Sequence, residues 1–189
     1  MVDLKMEYFK TILLKDGRKC ILRNGTAGDG EAALANFILT HEQTDYLLSY
    51  PDESTMTAEQ ESQFLQKKTE SENEIEILAE VDGIVAGLAG IEAVGGREKI
   101  RHRAEFGISV DRAFWNLGIG TALMNACTEC ARRAGYEQIE LNAVAENATA
   151  IAMYRKAGYQ EFGRNPRGFK SRLTGYQEVV YMRMELDQE

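Results

Sequence analysis

Cysteine, proline, histidine and tryptophan are all scarce in this chain, and each scarcity excludes a class of protein. Three cysteines among 189 residues, Cys20, Cys127 and Cys130, cannot build a disulfide framework. Cys127-x-x-Cys130 has no second cysteine pair, and His41 and His102 are the only other soft ligands, so no metal site is expected. The pair falls inside a helical pattern, where two small apolar residues one turn apart are the plainer reading. Two prolines and no Pro/Gly/Ser-rich stretch leave nothing to act as a linker, so 1–189 is expected to be a single domain.

Long apolar runs are also missing. The longest, Ile84 to Ile91, holds two glycines and falls far short of the ~20 residues that span a bilayer, so no membrane partner is expected. Met1-Val2-Asp3-Leu4-Lys5 lacks the apolar core of a signal peptide, and with unpaired cysteines the expectation is a cytoplasmic protein. Positive charge is in deficit: 22 Lys and Arg against 30 Asp and Glu give a net charge of −8. Nucleic acid as the main partner is thereby disfavoured, because phosphate neutralisation by Lys and Arg drives such binding.

Turn chemistry and periodicity organise what is present. Residues 1–8 read as an arm. Phe9 to Lys15 and Lys19 to Arg23 flank Asp16-Gly17, and Ile75 to Val81 and Ile84 to Ile91 flank Asp82-Gly83, two hairpin signatures. Between them lie a helical pattern over Ala32 to Leu39 and a second helix opened by Thr57-x-x-Gln60, a capping box. Ala104 to Val110 is the next strand. Strand and helix then alternate: a helix over Gly120 to Ala134, a strand over Ile139 to Val144, and a helix from Asn147 to Ala157 stopped by Gly158. Tyr159 to Gly163 and Gln177 to Leu186 close the pattern. Hairpins first and alternation later predict a mixed α/β sheet with helices packed on it.

The chemistry is carried by two segments. Asn116-Leu117-Gly118-Ile119-Gly120-Thr121 puts glycines at the start of an amphipathic helix, where free N–H groups and the positive dipole end suit phosphate. Position 123 is Leu rather than the third glycine of a dinucleotide fingerprint, and no Gly-Lys-Ser/Thr follows, so both nucleotide motifs are excluded. The second segment is Asn147-x-x-Ala150-x-x-x-Tyr154-x-x-x-Gly158-Tyr159.

Together the two resemble motifs A and B of the GNAT superfamily of acetyl-CoA-dependent N-acetyltransferases, over about residues 18–186. Trp115 departs from the Gln or Arg that the family prefers there, which removes one side-chain contact from a loop that works through its main chain. The resemblance implies a central, mostly antiparallel sheet splayed at a β-bulge, with helices on both faces. It assigns acetyl-CoA contacts to the main chain of Ile108, Ser109 and Val110, its pyrophosphate to Asn116, Leu117, Gly118, Ile119, Gly120 and Thr121, and a further contact to Asn147. Arg112, Arg155 and Lys156 lie near these motifs and are candidates to meet the phosphates. Asn147 is also the N-cap of its helix.

Acyl transfer to an amine needs the amine neutral and the thiolate stabilised. Glu105 shares a strand face with Gly107 and Ser109, where several family members carry a catalytic Glu; a solvated Glu or a pair with Arg103 is the other reading. Tyr154 is the candidate donor to the departing thiolate, as the family's motif B tyrosine is held to be; a satisfied core tyrosine is the other reading. The acceptor is expected to be an amine of a small molecule or peptide. Eleven Asp and Glu between Glu42 and Glu80, against Lys67 and Lys68 alone, are either a solvated face or the wall of a groove for a cationic acceptor. A non-catalytic acyl-CoA-binding sensor and a protein N-terminal acetyltransferase are the alternatives. A homodimer is compatible with the sequence, with Val179 to Met184 placed at a sheet edge.

Overall fold

The computed structural model describes residues 5–186, so the first four residues of the expected arm lie outside the described part. Residues 5–8 are packed rather than free: Met6 and Tyr8 are buried, and the Asn24 side chain binds the Tyr8 N–H and the Met6 carbonyl.

Eight strands form one sheet in the order β1-β2-β3-β4-β5-β6-β8-β7. They are β1 (Phe9–Leu13), β2 (Lys19–Asn24), β3 (Ile75–Val81), β4 (Ile84–Ala93), β5 (Arg103–Val110), β6 (Gln138–Val144), β7 (Gln160–Ser171) and β8 (Gly175–Glu185). Every pair is antiparallel except β5 with β6. The β3–β4 turn is set by Asp82 (φ 51°) and Gly83 (φ 79°), left-handed values that match the twist of a two-residue hairpin.

Period-2 alternation separates two cores. On one face Ile75, Ile77, Ala89, Ile91 and Phe106 pack under α3 (Ile119–Arg133), whose Leu123, Met124, Cys127 and Ala131 are fully buried. Ile151 and Tyr154 of α4 (Ala148–Ala157) join this cluster. On the other face Leu78 and Leu88 meet Ala33 of α1 (Gly30–Gln43) and Leu65 of α2 (Ala58–Thr69). The expected mixed α/β sheet with helices on both faces is what the chain builds.

Two features differ from expectation. The register shift lies in the β3–β4 pair, where Ala79 faces Gly87 and Glu80 faces Val85, rather than in the strand before the glycine loop. The strand placed at an edge, β8, is interior, because β7 runs on to Ser171 and pairs outside it. Sequence pattern ends that strand at Gly163, since Arg164 to Lys170 is polar and contains Pro166 and Gly168. An outer strand tolerates both, and β7 accommodates them with two register irregularities.

Candidate active site

The sheet opens between β5 and β6. Only Arg103, Ala104 and Glu105 pair with β6, opposite Gln138, Ile139 and Glu140; from Phe106 onward β5 pairs with β4 alone. The Asp111 N–H donates to the Ala86 carbonyl, so antiparallel alternation turns the main chain of Ser109 and Gly107 toward β4 and that of Ile108 and Val110 toward the gap. Trp115 Nε1 donates to the Val110 carbonyl at 2.7 Å. That leaves the Ile108 N–H and C=O and the Val110 N–H as the unpaired edge groups, while Ser109 reaches the gap by its side chain.

A cavity of about 510 Å³ runs along this edge to the glycine loop. It is lined by Ile108, Ser109 and Val110, by Trp115, Asn116, Gly118, Gly120 and Thr121, and by Asn147, Ala150, Met153 and Tyr154. Leu117 and Ile119 complete the loop but point away, Ile119 into the core. Gly118 caps α3 at φ 101°, a conformation that leaves the first-turn N–H groups facing outward, with open space where a Cβ would stand. At Gly120 a Cβ would lie 3.3 Å from Met153 Sδ, so the glycine lets α4 approach the loop. Asn147 accepts from the Ala150 N–H at 3.3 Å and thus caps α4 while lining the cavity. These free N–H groups and the open cradle fit a pyrophosphate.

The cations are distributed differently from the sequence expectation. Arg155 pairs with Glu161 and does not line the cavity, nor does Lys156. Arg112 stacks on Trp115, 5.4 Å from the ring centre, and Lys15 lines the cavity from the β1–β2 turn. Nothing in the spacing around Lys15 marks it. Its main-chain N–H bond to the Leu117 carbonyl is what brings it there.

Tyr154 is 6 % exposed and stands edge-on to Phe106, its ring centre 6.4 Å away. Burial pushes its phenol up to about 12, so it remains protonated at neutral pH. Among the described residues nothing hydrogen-bonds its hydroxyl, which is not the satisfied core tyrosine of the alternative reading.

A second cavity, about 560 Å³, lies on the α1/α2 face of the sheet. It meets the first at Leu47, Ile108 and Ser109, which line both. Its walls carry Phe37, His41, Leu48, Met56 and Phe64, and four carboxyl groups: Glu61, Glu76, Glu92 and Glu105. Arg103 pairs with Glu140 instead of Glu105. Glu105 itself is exposed, with Asn142 Nδ2 3.5 Å from its Oε1. His41 Nδ1 is 2.7 Å from the Phe37 carbonyl, and burial lowers its pKa, so it brings no positive charge at neutral pH.

Residues 36–159 match the profile of the acetyltransferase (GNAT) family. The chain belongs to that family. GNAT proteins are in general acetyl-CoA-dependent N-acetyltransferases. An L-amino acid N-acetyltransferase of Escherichia coli is 34 % identical over 57 % of this chain and 65 % of its own length, so the match spans a little under two thirds of that relative. A GNAT acetyltransferase from Streptococcus pneumoniae superposes with a TM-score of 0.84 and 26 % identity, covering 89 % of this chain and 99 % of that one. The yncA protein of Salmonella typhimurium, solved with acetyl-CoA, shares the fold at a TM-score of 0.78 and 18 % identity, over 90 % and 95 % of the two chains. Among the described residues no helix is long and apolar enough to cross a membrane, and no three potential ligands converge as a metal site.

Proposed function

We propose that this GNAT chain moves an acetyl group from acetyl-CoA to an amine of a small molecule or peptide by direct attack, in the reducing cytoplasm. The observation that carries this reading is the junction of the two cavities at Leu47, Ile108 and Ser109, with Tyr154 on one side and Glu105 on the other. Acetyl-CoA supplies the activated thioester. The loop from Asn116 to Thr121 would hold its phosphates through main-chain N–H groups, with Lys15 and Arg112 as nearby cations, and Ile108 and Val110 would pair with its extended arm.

Each remaining role belongs to a side chain. An alkylamine with a pKa of about 10.4 costs roughly 4–5 kcal/mol to neutralise at pH 7, so a proton acceptor is needed. Glu105 stands four residues from Ser109, about 13 Å along an extended strand, so it takes the proton through water in the second cavity. Tyr154 donates a hydrogen bond to the leaving sulfur. Because its pKa lies above the roughly 8.5 of a thiol, the benefit is stabilisation of the thiolate rather than complete proton transfer. Cys127 and Cys130 take no part: both are fully buried and burial raises their thiol pKa values.

The acceptor approaches past carboxylates and, among the described residues, meets no cation in the cavity wall, which favours a cationic amine over an amino acid, whose carboxylate would be repelled. The test is thiol release from acetyl-CoA across a panel of amines, amino acids and peptides, with mass spectrometry of the product. N-acetylation of a cationic amine supports the proposal. Cofactor binding with no thiol release across the panel would replace it with a sensor.

A further inference from the structure

We infer that the second cavity holds a dedicated subsite for a second ammonium group, so that the acceptor is a diamine. The inference rests on the acetyltransferase reading above and adds to it the far end of the substrate. Glu61 of α2 is only 8 % exposed, lines the cavity, and has no side-chain partner among the described residues. Glu76 of β3, half-buried, faces the same cavity and likewise has no side-chain partner among the described residues. A carboxyl group drawn from solvent either keeps its proton or takes a cationic partner, and an arriving ammonium would pair with Glu76 as that group gives up its proton to solvent.

The surroundings favour an ammonium over other partners. Lys68, the one cation nearby, is already bound to Glu74 at 3.1 Å and Glu92 at 2.8 Å. His41 is neutral, and among the described residues neither Glu61 nor Glu76 is ion-paired to a side chain, Lys68 acting on Glu76 only at a distance. Room for their carboxyl groups is built into the sheet: Glu76 lies opposite Gly90, and a Cβ on Gly90 would collide with its Oε2. Gly107 continues the same row and leaves open floor toward Ser109. Phe64 and Met56 add apolar wall for a methylene chain.

Spacing sets the length of the ligand. Glu76 and Ser109 are two strands and one row apart, about 12 Å between Cα atoms, and the reach of the carboxylate leaves roughly 6–9 Å between the two nitrogens. Straight diamines of four to six carbons meet that span.

The test compares kcat/KM for diaminopropane through diaminohexane with the corresponding monoamines, in the native protein and in Glu76→Gln and Glu61→Gln. The expected result is a preference of about tenfold or more for diaminopentane over pentylamine, collapsing in either variant. Equal kcat/KM for the two amines, or a preference that survives both substitutions, overturns the subsite. Failure to acetylate any amine would fall on the acetyltransferase reading instead. The subsite is then judged by calorimetry of diaminopentane with the CoA-bound protein: saturable binding weakened in Glu76→Gln supports it, and no binding overturns it.

Discussion

Replacing Glu76 by Gln should change how stability depends on pH. Burial foremost, with Glu61 and Glu92 adding to it and Lys68 opposing, raises the Glu76 carboxyl from 4.5 to about 8. A folded-state pKa above the unfolded one favours the native state fully below pH 4.5, where both forms are protonated. As pH rises from 4.5 to 8 the unfolded chain loses a proton that the native state retains, and stability falls; above 8 the loss is complete. The whole interval sets a ceiling of about 5 kcal/mol. Glu76 borders a cavity rather than dry core, which relaxes the penalty, and about 2 kcal/mol is the working figure. For a chain of this size that is about 4–8 °C in Tm. Melting curves of the native protein and Glu76→Gln from pH 5 to 8.5 should coincide at the acid end and separate with rising pH, the variant being the more stable. Lowered carboxyls elsewhere, such as Asp29 held by Arg23, act equally on both proteins and cancel in the difference. Saturating diaminopentane should narrow the gap by stabilising the native protein alone. Parallel curves across the whole range would refute the assignment of Glu76 as a desolvated carboxyl group without a side-chain partner.

Tyr154→Phe should lower kcat about 10- to 100-fold, the worth of a hydrogen bond to a charged sulfur, while leaving Tm and acetyl-CoA affinity nearly unchanged because the hydroxyl has no protein partner. Unchanged kcat would remove it from the mechanism. Glu105→Gln should cost about 100-fold in kcat for alkylamines and much less for weakly basic aromatic amines, which arrive neutral; equal losses for both would exclude a role in taking the proton. Gly118→Ala forces a side chain to φ 101° and should destabilise by about 1–2 kcal/mol, with a raised KM for acetyl-CoA; a native-like melting curve and KM would contradict the loop geometry.

Much of the fold was legible because its signals are local. Asp82-Gly83 dictates its hairpin, Thr57 and Gln60 cap each other across α2, and Asn147 and Gly158 bound α4. The glycine loop was legible for the same reason, since Gly118 is needed where the backbone turns left-handed. What the sequence hid depends on distant pairing. The outer strand β7 has no alternating pattern, and its length follows from β8 lying inside it. The acidic run read equally as a solvated face, and Glu59, Glu70 and Glu72 are indeed exposed. Glu61 and Glu76 belong to the same run and are indistinguishable from these by spacing. They are set apart by what stands opposite: α2 folded over the sheet, and Gly90 across from Glu76, fourteen positions away along the chain. Lys15 is visible only once the β1–β2 turn has docked on Leu117.

The most direct measurement follows thiol release and product together, with acetyl-CoA and diaminopentane as the only substrates. One mono-N-acetylated diamine is expected for each CoA released, with turnover sharply reduced in Tyr154→Phe. Thiol release with no N-acetylated product, or no release with this or any other amine, would contradict the central claim that the two cavities join an acyl donor to an amine.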